Sequence, residues 1–169
     1  MNFQFYLEKL FASTEFEKFK KENPDAFLCS GFFSIDKKGE DNKQHLDFFI
    51  PSVKKFFSFK LDQNPIELMP VENLAEQEIQ IPEQISDNHD FDFNEIEKLI
   101  LEKMQQEKIS KEIQKLIFSL QKKEKKDFLI GTVFISGLGI LKVLINLQNK
   151  SIVEFEKKSF FDMIKIVKK

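Results

Sequence analysis

The chain opens on apolar residues at helical spacing. Phe3, Tyr6, Leu7, Leu10 and Phe11 fall on one face of a helix over residues 3–12. Ser13 or Thr14 restarts the helix, and Thr14 with Glu17 has the spacing of a capping box. Phe16 and Phe19 give the second helix its apolar side, and Asn23-Pro24-Asp25 ends it. The period then falls to two. Phe27, Cys29, Gly31, Phe33 and Ile35 alternate with Leu28, Ser30, Phe32 and Ser34, which predicts a strand apolar on both faces and therefore central. A polar loop around Gly39 leads to a second strand, where Leu46, Phe48 and Ile50 alternate with His45, Asp47 and Phe49. After the turn at Pro51-Ser52, Val53, Phe57, Phe59 and Leu61 share one face of a third strand, opposite Lys54, Ser58 and Lys60.

Residues 62–90 hold Pro65, Pro70 and Pro82 and read as irregular chain, with short edge pieces at Ile66–Met69 and Glu78–Ile81. Asp92 then has the place of an N-cap, with Glu95 as its capping-box partner and Phe91 and Ile96 as a hydrophobic staple. Ile96, Leu99, Ile100 and Met104 form one helical face; Ile109, Ile113, Leu116, Ile117 and Leu120 form another, about a third of a turn away. The offset predicts a helix broken or kinked near Glu107–Ser110. Lys122 to Lys126 reads as a charged linker. Strands follow at Phe128–Ser136, Ile140–Leu147 and Ile152–Glu156, and Ser159 caps a last helix bearing Phe160, Met163, Ile164 and Val167.

The pattern predicts an α+β protein: Phe-rich antiparallel sheet with packed helices. One compact domain over 1–169 is expected, with sub-units 1–61 and 92–169 joined by an acidic connector, 62–91. Asp25-Ala26-Phe27-Leu28 and Asp127-Phe128-Leu129-Ile130 each follow a helical pattern, suggesting a pseudo-repeat of α-β-β-β units. That order resembles cystatin-like units, in which a helix crosses a curved antiparallel sheet. The hairpin Ile140–Glu156 also resembles the closing hairpin of PepSY-type domains, but Asn146 and Asn149-Lys150 replace the usual Asp and Thr-Gly turn, so it carries no functional implication.

Composition narrows the chemistry. The 21 Phe stand beside no Trp and one Tyr, so Phe must fill the core. All 26 basic residues are Lys. Without Arg the chain lacks the bidentate fork that reads guanine, and a net charge of −2 adds no general attraction, so no specific nucleic-acid binding is expected. Cys29 is the lone cysteine, which excludes an internal disulfide and fits a cytoplasmic setting. The apolar stretch 128–147 is long enough to span a bilayer, but Gly131, Gly137, Gly139 and Lys142 interrupt it, so two buried strands are expected and no transmembrane helix. A membrane-associated protein through 128–147 is kept as one alternative.

No chemical motif is complete. Asp90-Phe91-Asp92 opens like a calcium loop, but Glu95 and Leu101 stand where Gly and Glu are required. His45, His89 and Cys29 lie too far apart in sequence to suggest zinc. Cys29 sits within an apolar strand, the setting of an inert thiol. Gly137-Leu138-Gly139 reads as a turn. No catalytic, cofactor or metal residues are assigned. Charge is laid out unevenly: residues 61–97 hold eleven acids and no Lys, whereas 98–126 hold nine Lys, with Glu107–Lys111 at ion-pair spacing. The acidic segment either folds over Lys-rich surface or faces a basic partner. The expected function is non-enzymatic binding or assembly on a curved sheet, through a protein partner, self-association or an apolar ligand. Phe49 and Phe56, on the outward phase, are the candidate partner surface. An enzyme using dispersed carboxylates such as Asp47 or Glu67 is the other alternative.

Overall fold

A computed structural model describes residues 2–72, 79–159 and 161. The helix expected after Ser159 and the start of the piece at Glu78–Ile81 lie outside them. Helix α1 is Phe3–Phe11, and the Asn2 side chain caps it by accepting from the Gln4 N–H at 2.6 Å. Helix α2 is Thr14–Glu22. Its cap is Ser13 and not Thr14: the Ser13 hydroxyl accepts from the Phe16 N–H and donates to the Leu10 carbonyl, ending one helix and starting the next.

Four strands follow: β1 (Phe27–Asp36), β2 (Lys43–Ile50), β3 (Lys55–Lys60) and β4 (Glu67–Val71). Helix α3 (Phe93–Gln106) precedes β5 (Ile113–Lys123), β6 (Lys126–Ile135), β7 (Gly139–Asn146) and β8 (Ser151–Ser159). The strands form one antiparallel sheet in the order β4-β3-β2-β1-β5-β6-β7-β8. Each expected α-β-β-β unit therefore gains a strand, and the units share a sheet. They meet where Ser30–Asp36 of β1 pairs with Gln121–Lys115 of β5. Two four-stranded meanders run outward from that pair.

The second half of the expected kinked helix is β5. The break falls where the two apolar stripes part, but the chain does not resume as a helix. Lys108 takes a left-handed φ of 56°. Its N–H bonds the Gln105 carbonyl, and the Ile109 N–H reaches back to the Met104 carbonyl, the hydrogen bonds of a Schellman stop. Beyond it Leu116, Phe118 and Leu120 alternate and are fully buried. With the helix ended, Glu107 pairs with Lys103 at 3.0 Å, one turn back, and not with Lys111.

Lys122–Lys126 is not a linker. Lys123 pairs with Lys126 across the sheet, leaving Glu124-Lys125 as a two-residue hairpin turn with φ of 51° and 64°. Turns of this kind favour Asn-Gly, because two side-chain-bearing residues are held left-handed. Replacing Glu124-Lys125 with Asn-Gly is expected to raise stability by about 1–2 kcal/mol. Urea midpoints of the two proteins check this, and an unchanged midpoint would mean that the turn carries no strain.

The three described helices cover one face of the sheet. Phe3, Leu7, Leu10, Phe19, Phe93, Ile96, Ile100 and Met104 pack on Phe33, Leu46, Phe48, Phe59, Leu116, Phe118, Val133, Leu141 and Val143 in a single cluster. Gly131 is required there, since a Cβ would lie 2.4 Å from a Val143 methyl and 3.0 Å from the Phe118 ring. The described residues of the acidic segment pack against the rest of the fold. Ile85 is buried and its N–H bonds the Leu28 carbonyl, and the Glu83 carboxylate accepts from the Lys125 N–H. Glu95 and Glu97 pair with Lys150 and Lys37, and Glu67 with Lys60.

Candidate functional site

No described helix packs on the other face of the sheet. Because side chains alternate, the pairings that send Leu46, Phe118 and Val133 to the core send their neighbours to this open face. On the β2–β4 side its centre is internally packed, and Met69 and Val71 of the edge strand β4 are left exposed. Phe49 is on the outward phase, as expected, but is fully buried, its ring 5.8 Å from Phe27 and 4.8 Å from Phe56. It is therefore not a contact surface as it stands; Phe56 and Phe27 are its half-exposed cover.

The polar residues of that side are occupied. Asp47 accepts from the Ser30 hydroxyl at 2.6 Å. Burial, and then the Asp47 charge, push the Cys29 thiol up to about 12, so it is protonated and unreactive at neutral pH. His45 is half-buried on the strand, its ring 5.6 Å from Phe32 and its Nε2 3.8 Å from Asp62. Glu67 lies 3.2 Å from the Lys60 amine. The structure does not bring Asp47 and Glu67 together around a cavity with a free acid or base. His89 is a loop residue whose ring reaches a partner distant in sequence. Its Nε2 contacts Oδ2 of Asp127, a carboxylate 2% exposed on the core side of the β5–β6 hairpin. Among the described residues, no group of three or more His, Cys, Asp or Glu is placed to hold a metal ion.

The open face over β5–β8 is different. A groove of about 600 Å³ lies along it, within the range of small-molecule sites. Its floor is Phe128, Ile130 and Leu144, with Ile130 44% exposed. Ile130 stands directly between Ser119 of β5 and Leu144 of β7, and Leu144 stands opposite Glu154 of β8. Lys123, Lys126 and the turn residue Glu124 close the hairpin end. Thr132, Lys142 and Glu156 form the next polar row, and Glu154 and Glu156 edge the β8 side. Antiparallel pairing thus sets an apolar strip between polar ends. The sequence assigns none of these residues to a common site, because they come from separate strands and only the register joins them. The one signal available was the period-two phase of 128–147, which the structure makes β6 and β7. Among the described residues, no helix is long and apolar enough to cross a membrane.

A second groove, of about 350 Å³, lies between α1, the β1–β2 end and α3. Its cations are already committed: Lys37 pairs with Glu97, and the Lys9 amine donates to the Leu61 carbonyl. Burial, reinforced by Asp92, raises the Tyr6 phenol further above neutral pH. This groove is the poorer candidate.

No family model matches the chain, and no curated protein matches it. Among solved structures, the fold is similar to the crystal structure of a putative lipoprotein from Clostridium difficile 630. The TM-score is 0.56 at 11% identity, covering 85% of this chain and 90% of that one. At that identity the likeness is one of fold: an α+β chain built on an antiparallel sheet.

Proposed function

We propose that this chain is a non-enzymatic binding module that holds an elongated apolar partner in the open-face groove over β5–β8. The observation that carries this reading is the strip of exposed Ile130 with half-exposed Phe128 and Leu144, on a sheet face without described helices and bounded at both ends by polar side chains. An apolar floor with few polar groups placed around it is the usual make-up of a ligand site. The carboxylates that an enzyme would use are instead tied up in the Asp47–Ser30 and Glu67–Lys60 contacts.

The neutral dye Nile red tests the groove without presupposing a head group. Wild-type protein is expected to bind and brighten it. The double variant Ile130→Glu/Leu144→Glu should weaken binding at least tenfold while keeping its circular dichroism, because both changes are on the open face. Equal binding by the two proteins would place the dye elsewhere and remove the groove reading.

A further inference from the structure

The two ends of the groove are chemically unlike. At the hairpin end Lys123 and Lys126 stand directly opposite each other on the open face, one row from Phe128. Like charges so placed repel. Neither has an ion-pair partner among the described residues, although Lys122, one position away, lies 4.0 Å from Asp127 on the core side. The turn that joins them, Glu124-Lys125, is held in two consecutive left-handed conformations, and Glu83 grips its Lys125 N–H. Repulsion and backbone strain are thus concentrated at one point of the groove, where an anion would relieve the first. At the other end Lys142 stands across from Glu156, so the charge there is balanced within the sheet. Glu154 and Glu156 make the β8 side unfavourable to a second anion.

Between the ends the floor is continuous and apolar. From Lys126 to Thr132 the strand rises about 20 Å. That is the reach of an extended alkyl chain, with a net positive charge at the hairpin end, where Glu124 offsets one of the two lysines, and a net negative charge at the other, where Glu154 and Glu156 outweigh Lys142. We infer that the groove takes a single-chain amphiphile with an anionic head, its carboxylate between Lys123 and Lys126 and its chain along Phe128, Ile130 and Leu144. The inference rests on the groove being the binding site.

Isothermal titration with dodecanoate, dodecanol and dodecyltrimethylammonium, each below its micellar concentration, separates head from chain. Dodecanoate is expected to bind at least tenfold more tightly than the other two. The double variant Lys123→Gln/Lys126→Gln should remove that preference and leave dodecanol binding unchanged. Ile130→Glu/Leu144→Glu should weaken both. Equal binding of acid and alcohol, unmoved by the lysine changes but lost with the floor variant, would overturn the head assignment and leave the groove reading standing. Failure of all three amphiphiles to bind would overturn the amphiphile, and the Nile red result then judges the groove by itself. Co-sedimentation with phosphatidylglycerol vesicles in the absence of dodecanoate binding would overturn it in favour of a membrane surface.

Discussion

His89→Ala is expected to lower stability by about 3 kcal/mol in urea denaturation, a large effect for a loop residue. The reason is Asp127. Its carboxylate is 2% exposed, and its Oδ1 accepts no hydrogen bond from the described residues. Oδ2 has the His89 ring, and the Lys122 amine lies 4.0 Å from Oδ1. Removing one partner of a buried pair costs about 3–5 kcal/mol, because the other is left desolvated and uncompensated. Lys122 remains to offset part of that, which places the expected loss at the lower end. The pair also has leverage. It fixes the connector at His89, while Ile85 fixes it to β1 and Glu83 to the β5–β6 turn. His89→Ala/Asp127→Ala should be more stable than His89→Ala alone, since the orphaned charge is gone and the two effects are not additive. A single-variant loss under about 1 kcal/mol would mean that water reaches Asp127.

Phe33→Ala is expected to cost about 3–5 kcal/mol, the usual range for deleting a buried aromatic ring. Phe33 is 1% exposed on β1. Its ring lies 4.7 Å from Phe93 of α3, 5.6 Å from Tyr6 and 6.0 Å from Phe3 of α1, and its residue pairs with Phe118 of β5. One side chain thus joins the first helix, the last described helix and the two strands where the meanders meet. The midpoint of thermal unfolding should fall by about 10 °C, given roughly 2–4 °C per kcal/mol at this size. Unfolding should stay a single transition. Two separated transitions, only one of them shifted, would show that the halves hold together independently and that the β1–β5 seam contributes little.

The parts of the fold readable in the sequence are those whose periods are unmixed. Leu46–Ile50 alternates cleanly and is β2; Phe27–Ile35 is β1, but a bulge between Leu28 and Ser30 shifts the phase, so Phe27 lies on the open face and Phe33 in the core. Asp92 is followed by a helical stripe and caps α3, its side chain accepting from the Asn94 N–H at 2.7 Å. That bond holds the Asp92 carboxyl below its ordinary range. Residues 109–120 misled because Ile113 and Ile117 satisfy both a four-residue and a two-residue spacing. Phe118, which fits only the strand, was the discriminating residue. The stop before them was obscured because Lys108, and not Gly, takes the left-handed position. The same kind of substitution hid the β5–β6 hairpin, where Glu124-Lys125 stands in place of Asn-Gly. Phe49 shows that phase does not give exposure: it points to the open face, yet Phe27 and Phe56 cover it. Nothing near His89 in the sequence points to its partner, which lies 38 positions away. The groove was hidden for the same reason as Asp127, since residues from four strands become neighbours only through register.

Backbone amide shift mapping by NMR shows whether ligand binds on the open face over β5–β8. On titration with dodecanoate, shifts are expected to concentrate at Lys123, Lys126, Phe128, Ile130, Thr132, Lys142 and Leu144, with β2, β3 and the helices unmoved. Shifts centred instead on the helix-bearing face, around Phe11, Phe16 and Lys20 or around Tyr6 and Phe93, with β6 and β7 unmoved, would contradict open-face binding.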